Sequence, residues 1–343
     1  MDFAAAISSD PASLEALARL GAEPSPDLPV LTVKVKLLWH CNLSCVFCRL
    51  PEPCGVMSRD TSLALGRELA AQGLRKVHFS GGEVLLHPDC FAIFADWAGL
   101  GIQVNLTSNG FLMGKEEVRS LEVSGVHSVS LSIDSADRKV HDKLRGKKGS
   151  QKAVVRAAQR IAERGRTRLR INTVVTSRNI QGLAEMREFV RGLGASVSWK
   201  LIPVDPFTSG LLPSAAEVEK AAAHTLQWEE LEDRTPFGSN PGHYRETAAG
   251  RHGFRRNTCY APWFNLFFAP EGACYPCCMA RGTTKPLGRY PELSVRQVLQ
   301  GGPMREFRSL MASGGRLDAC TRCDDFLAEG RAIERLLDGM DRT

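Results

Sequence analysis

Three cysteines, Cys41, Cys45 and Cys48, fall within eight residues in the stretch WHCNLSCVFC (39–48), spaced by three residues and then two. Thiols packed this closely suit a metal more than a disulfide. A structural zinc takes four protein ligands at tetrahedral geometry, and a Cys-ligated four-iron cluster also has four irons to satisfy. Three cysteines therefore leave one position for another ligand. His40 could complete a Cys3His zinc site, and that reading stays open on the spacing alone. A second group follows late in the chain: Cys259, Cys274, Cys277, Cys278, Cys320 and Cys323. Its CYPC and CTRC are CxxC knuckles, which zinc also uses.

The elements that must hold these residues read as a βα series. Strand-forming runs at 31–39, 75–80, 102–108, 126–134, 167–176 and 195–204 alternate with helical patterns at 57–74, 87–101, near 114–123, 150–164 and near 180–192. Ser58 or Asp60 is positioned to cap the first helix, and Pro88 opens the second. Apolar strands alternating with helices predict a parallel sheet with helices outside and right-handed crossovers. Six units are too few for a closed eight-stranded barrel, so the expectation is an open (β/α)6 partial barrel. The cysteine triplet follows the first strand, at the strand C-terminal face where barrel enzymes carry their chemistry. PVDPFTSGLLP (203–213) breaks the alternation, a helix is expected over 214–232, and WFNLFFAPEGACYP predicts a hairpin turning at Glu271-Gly272. The predicted divisions are an N-terminal extension (1–30), the barrel (31–205), a bridging segment (206–258) and a small cysteine-rich unit (259–343).

Composition is ordinary for a globular chain of 343 residues, 43% hydrophobic and 24% charged. No apolar run is long enough to span a membrane, and MDFAAAISSDPASLEALARL is not a signal peptide. A cytoplasmic protein is expected, where thiols stay reduced. The net charge of +6 is uneven. Thirteen Lys and Arg lie between Arg138 and Arg170, against Asp142 and Glu163. That run is either a solvated outer face or a docking patch for an acidic partner.

The triplet CNLSCVFC resembles the CxxxCxΦC motif of the radical S-adenosylmethionine (SAM) superfamily. The resemblance implies that Cys41, Cys45 and Cys48 hold a [4Fe–4S] cluster whose open iron is chelated by SAM, with Phe47 packing near the adenine. It implies the (β/α)6 partial barrel already read from the alternation. SGGE (80–83) resembles the family's GGE motif, so Ser80, Gly81, Gly82 and Glu83 are expected at the SAM amino group. Without the resemblance, Gly-Gly-Glu would be a plain turn. TSNG (107–110) ends the third strand, which places Ser108 and Asn109 toward SAM. The segment SLSIDSADRKVHDKLRG (130–146) is similar to the fourth-strand region of relatives with an auxiliary-cluster domain. That implies Ser132 and Asp134 near SAM or substrate and Arg145 on the SAM carboxylate. The plainer alternatives are a helix cap for the Asp and membership of the basic run for the Arg.

The late cysteines resemble the Twitch domain, the shortened relative of SPASM. In that pattern Cys259, Cys277, Cys320 and Cys323 hold one auxiliary [4Fe–4S] cluster. The Gly272-x4-Cys277 spacing favours Cys277, with Cys278 and Cys274 as alternatives. The expected activity is reductive cleavage of SAM to a 5′-deoxyadenosyl radical and hydrogen abstraction from an unactivated carbon. A flavodoxin or ferredoxin is the expected electron donor. No catalytic proton or hydrogen donor is identified. A small polar substrate (a sugar, cyclitol or nucleoside of antibiotic biosynthesis) is preferred, with dehydrogenation, epimerisation, deoxygenation or decarboxylation as outcomes of an oxidoreductase- or lyase-type enzyme. The preference rests on the short stretch ahead of the first strand, which leaves little room for a leader-peptide module. The alternative is a maturase of a ribosomally made peptide. The alternative from another class, a zinc-stabilised binding protein using the basic run on nucleic acid, leaves SGGE without a role, so no nucleic-acid partner is expected.

Overall fold

The computed structural model describes residues 30–48, 55–194, 196–204, 209–223 and 259–318, with Cys320, Cys323 and Ile333. Six parallel strands follow one another across a single sheet: β1 (Thr32–Lys36), β2 (Lys76–Ser80), β3 (Gln103–Ser108), β4 (Val126–Ser132), β5 (Arg168–Val175) and β6 (Ser198–Pro203). The helices between them are α1 (Arg59–Ala71), α2 (Cys90–Gly99), α3 (Lys115–Val123), α4 (Arg138–Arg145), α5 (Ser150–Arg164) and α6 (Leu183–Leu193). This is the expected open (β/α)6 arrangement. Ser58 caps α1 by accepting from Thr61 N at 3.2 Å, leaving Asp60 in the first turn. The helix expected over 214–232 is described as α7 (Ala215–Ala223); its remainder and residues 1–29 of the N-terminal extension lie outside the described residues.

The helix α4 is not among the helical patterns expected from the sequence. Its eight residues, RKVHDKLR, are mostly charged, so they give no long apolar stripe. Its ends carry the signal: Asp137 accepts from Lys139 N and Val140 N, and Gly146 closes the helix at φ 65°.

The second unit continues the same sheet. After α8 (Ala261–Phe264), β7 (Asn265–Phe268) pairs parallel with β1, and β8 (Ala273–Tyr275) and β9 (Gly288–Arg289) follow antiparallel. The strand order is β6-β5-β4-β3-β2-β1-β7-β8-β9. Two helices, α9 (Val295–Gln300) and α10 (Gly302–Ala312), follow. The β7–β8 hairpin turns at Glu271-Gly272 as expected. A Cβ on Gly272, at φ 83°, would run into the Tyr290 carbonyl oxygen.

The two faces of the sheet differ sharply. Val33, Val35, Val77, Phe79, Val104 and Leu106 point toward the helices and join one apolar core with Phe94 and Trp97. The opposite face is polar. Lys34 pairs in register with His78, His78 with Asn105, and Asn105 with Ser128. A second row runs Thr107, Ser130, Arg170 and Ser198. Closed barrels fill this interior with branched apolar side chains. Here the inward positions of β1 to β4 carry polar side chains, while β7 sets the buried Phe267 opposite Lys34.

Candidate active site

The cysteine loop leaves β1 and is held from two sides. On one side, Gly82 N donates to Leu38 O at 2.9 Å and Glu83 N to His40 O at 2.7 Å. This approach explains both glycines. A Cβ on Gly81 would stand 2.5 Å from Leu38 O, and one on Gly82 would overlap the His40 carbonyl and lie 2.6 Å from Trp39 O. On the other side, the end of α4 clamps the loop. Val46 N donates to Leu144 O at 2.9 Å, and Lys147 Nζ to Asn42 O at 3.2 Å. Lys147 also lies 4.6 Å from the Phe111 ring centroid. Gly146 lies so close beneath Ser44 that a Cβ there would strike its carbonyl oxygen.

Most of the residues expected at a SAM site come together around this loop. Glu83 is buried. Its carboxylate accepts from Ser108 Oγ at 2.8 Å, Leu85 N at 3.2 Å and Asn109 N at 2.7 Å. Burial raises its pKa above the ordinary carboxylate range, against the pull of these donors. Asn109 Nδ2 donates to Asn42 Oδ1 at 2.8 Å and lies 3.8 Å from Cys41 Sγ. Arg145 is bound by Asp134 through two contacts, Nε to Oδ2 at 2.6 Å and Nη2 to Oδ1 at 2.9 Å. Its remaining nitrogen, Nη1, is 3.8 Å from Cys45 Sγ, and its guanidinium lies 5.1 Å from the Phe47 ring centroid. Asp134 thus fixes the cation beside the cysteine, while Asp137 caps α4. Ser132 is buried at the end of β4, and Ser80 ends β2, where its carbonyl accepts from Leu37 N at 3.0 Å. Cys48 is exposed and closes a turn onto Cys45 O at 3.1 Å.

Several supporting residues carried no sequence signal. His141 Nδ1 accepts from Asp134 N at 3.1 Å, and burial holds the imidazole down to about 4. Asn179 Nδ2 donates to Asp134 O at 2.7 Å. His141 is a single polar residue on α4 and Asn179 lies in a turn after β5; only the fold brings them to Asp134.

The second cysteine group lies at the β7–β8 end of the sheet. Cys274 is fully buried on β8 within the apolar core, and burial raises its pKa. Cys277 interacts electrostatically with Cys278 and Cys259, and burial raises it also. Cys278 packs beside Trp39 and Phe267 and accepts from Lys34 Nζ at 3.5 Å. Lys36, two residues along β1, is half-buried and donates to Gly81 O at 3.5 Å. Burial lowers its pKa to about 8, against the Cys278 and Cys48 thiols that face it. Lysines of β1 therefore stand between the two cysteine groups.

The residues suit iron–sulfur clusters and SAM. Burial raises the pKa of Cys41 and Cys45, which favours neutral thiols until a metal takes them as thiolates. Asn109 and Arg145 already stand as donors beside those sulfurs. Asn42 Nδ2, inside the loop, is buried without a partner. Among the described residues no three His, Cys, Asp or Glu side chains converge on the position of a single ion. A four-iron cluster spreads its ligands over separate irons and asks for a looser set.

The radical SAM superfamily model matches residues 40–190, and the model of an iron-sulfur cluster-binding domain, SPASM, matches 259–324. The chain belongs to the radical SAM superfamily and carries a C-terminal SPASM-type domain; its cofactors are a SAM-binding [4Fe–4S] cluster, SAM and auxiliary [4Fe–4S] iron–sulfur. It is 34% identical over 159 residues to the AdoMet-dependent heme synthase of Methanosarcina barkeri, covering 45% of each chain. The match thus spans less than half of that relative's length. It is 25% identical over 319 residues to the PqqA peptide cyclase of Granulibacter bethesdensis, covering 86% of this chain and 80% of that protein. The fold matches Streptococcus suis SuiB bound to S-adenosylmethionine with TM-score 0.70 and 18% identity, over 91% of this chain and 76% of that one. No helix among the described residues is long and apolar enough to cross a membrane.

Proposed function

We propose that this radical SAM enzyme modifies a peptide, replacing the small polar substrate expected from sequence. The observation that carries the reading is the match to a peptide cyclase over 86% of this chain. The polar side chains at the inward positions of β1 to β4 support it, because they offer hydrogen-bond partners to a peptide backbone. The stretch ahead of β1, from which the small-substrate preference was argued, bears on neither reading.

In this proposal Cys41, Cys45 and Cys48 hold the first cluster. Cys259, Cys277, Cys320 and Cys323 hold a single auxiliary cluster. Once bound, SAM and the first cluster would supply one-electron SAM cleavage and hydrogen-atom abstraction from the substrate. The chain's own residues position and shield. Gly81 and Gly82 bring backbone against the cysteine loop, and Glu83, with Ser80, Ser108 and Asn109, shapes the side toward the SAM amino group. Asp134 orients Arg145, which keeps a positive charge at Cys45, and Phe47 and Ser132 bound the adenine and substrate sides. A flavodoxin or ferredoxin delivers the electron.

The test is mass spectrometry of anaerobically reconstituted protein given SAM, dithionite and candidate precursor peptides. Loss of a pair of hydrogen atoms from a peptide, in step with 5′-deoxyadenosine, supports the proposal. Turnover of sugars, cyclitols or nucleosides with every peptide unchanged restores the small-substrate reading.

A further inference from the structure

Two cysteines of the first loop each face a side-chain nitrogen that is already locked in place. Asn109 Nδ2 donates toward Cys41 Sγ at 3.8 Å, and Arg145 Nη1 toward Cys45 Sγ at 3.8 Å. Asn109 Oδ1 accepts from Phe111 N at 2.9 Å. One Nδ2 hydrogen goes to Asn42 Oδ1 at 2.8 Å, which leaves the other for the sulfur.

Arg145 is held more firmly still. Asp134 takes its Nε and Nη2, and both residues are buried. Asp134 is fixed in turn: its Oδ1 accepts from Val174 N at 3.0 Å, its backbone oxygen from Asn179 Nδ2 at 2.7 Å, and its N donates to His141 Nδ1 at 3.1 Å. Leu144 O, one residue before Arg145, accepts from Val46 N, one residue after Cys45, at 2.9 Å. The guanidinium and the cysteine therefore keep their spacing. An ion pair that served folding alone would be complete with Nε and Nη2; the aim of Nη1 at Cys45 is surplus to it.

The potential of a cysteine-held cluster depends on net charge and on hydrogen bonds to its sulfurs. Reduction adds one negative charge, so a donor aimed at a ligand sulfur stabilises the reduced form more than the oxidised one. Residues around the ligands tune a metal in this way.

We propose that Arg145 and Asn109 raise the reduction potential of the first cluster by donating to Cys45 and Cys41, with Asp134 as the positioning residue that aims Arg145. The electron itself comes from the flavodoxin or ferredoxin. The inference rests on Cys41, Cys45 and Cys48 as cluster ligands and not on the identity of the substrate.

The experiment uses full-length enzyme with both clusters loaded and no SAM. It is titrated with dithionite and redox mediators, and each cluster is followed by electron paramagnetic resonance. The first cluster's signal is the one that changes when SAM is added to a parallel sample. Iron is measured on every variant. Arg145→Met should lower that cluster's reduction equilibrium about tenfold, the size expected for a charge-assisted hydrogen bond, or about 59 mV for one electron. Asn109→Leu should lower it about threefold, as for a neutral donor. The auxiliary cluster should keep its potential in both. Asp134→Asn/Arg145→Met, which also removes the buried carboxylate, should remain below the unaltered enzyme because Cys45 still lacks its donor. If Arg145→Met does not load iron, this double variant and Asn109→Leu carry the comparison. Unchanged potentials in loaded variants overturn the proposal. A double variant restored to the unaltered potential assigns the effect to the field of an unpaired Asp134 and overturns it as well. Equal shifts in both clusters, or iron lost from all three variants, make these residues structural and overturn it. An unaltered enzyme with no SAM-responsive signal overturns the ligand assignment and this inference with it.

Discussion

Replacing Gly82 by Ala should empty the first cluster while leaving the second in place. The new methyl group would overlap the His40 carbonyl and lie 2.6 Å from Trp39 O. Both are backbone atoms directly ahead of Cys41, so no flexible side chain can move aside. Relief requires the GGE turn to part from the cysteine loop, which breaks Gly82 N to Leu38 O and Glu83 N to His40 O. Each such bond contributes about 0.5–1.5 kcal/mol net, and overpacking costs roughly 1–3 kcal/mol. The local penalty is then about 2–6 kcal/mol, below or near the lower part of the roughly 5–15 kcal/mol that holds a domain folded. The chain should fold with Cys41 displaced. Iron per chain after anaerobic reconstitution should fall by about four, the content of one such cluster, and SAM cleavage should be lost. Gly99→Ala is the control. It lies in α2 with nothing within 4 Å of the added Cβ, so a gain of about 0.5–1 kcal/mol is expected. Full iron and normal SAM cleavage in Gly82→Ala would refute the claim that this close approach places the cysteine loop.

Glu83→Gln puts an amide NH2 among three donors, so the melting temperature should drop with a loss of about 1–3 kcal/mol. SAM affinity should fall about tenfold if the carboxylate also meets the SAM ammonium; unchanged affinity confines Glu83 to holding its turn. Cys277→Ala should lose the auxiliary cluster's iron and Cys278→Ala should keep it, measured by iron content; the reverse result makes Cys278 the ligand. His141, held near 4 when folded and ordinary when unfolded, binds its proton more readily in the unfolded chain. Stability should therefore fall as pH drops from about 6.5 to 4, by up to about 1.4 kcal/mol per pH unit, and urea titrations of iron-free His141→Gln should show a flatter slope. Reversing exposed Lys143, Lys148 and Lys152 to Glu should slow flavodoxin-driven turnover at low salt and leave dithionite-driven turnover unchanged. Lys147 is left out because it holds Asn42 O. Equal slowing with both reductants would assign the patch to another role.

Local signals made the barrel legible. Each strand is a short β-rich run followed by a helical segment, and the cysteine spacing and GGE lie at strand ends. What stayed hidden depended on distant partners. Arg145 was read toward a SAM carboxylate, yet Asp134, eleven residues upstream, holds it. Buried parallel strands commonly read as unbroken apolar runs. The sequence TVKVK alternates instead, with Val33 and Val35 in the core and Lys34 and Lys36 inward. That alternation is the visible sign of a polar inner face, and the strand propensity of the whole stretch obscures it.

The late cysteines looked like a separate appendage because nothing local says that NLFF will pair with a strand more than two hundred residues earlier. The pairing explains how two cysteine groups so far apart in sequence are carried by neighbouring strands of one sheet. Thr32 aligns with Asn265 and Val35 with Phe268, and Thr32 Oγ1 donates to Asn265 Oδ1 at 3.1 Å. Asn265 Nδ2 then donates to Pro276 O at 3.1 Å, immediately before Cys277. One buried asparagine thus ties the register of β1, whose far end opens into Cys41, to the turn that carries Cys277 and Cys278. The relation of the two cysteine groups is therefore set by the backbone ladder between β1 and β7 and not by a linker.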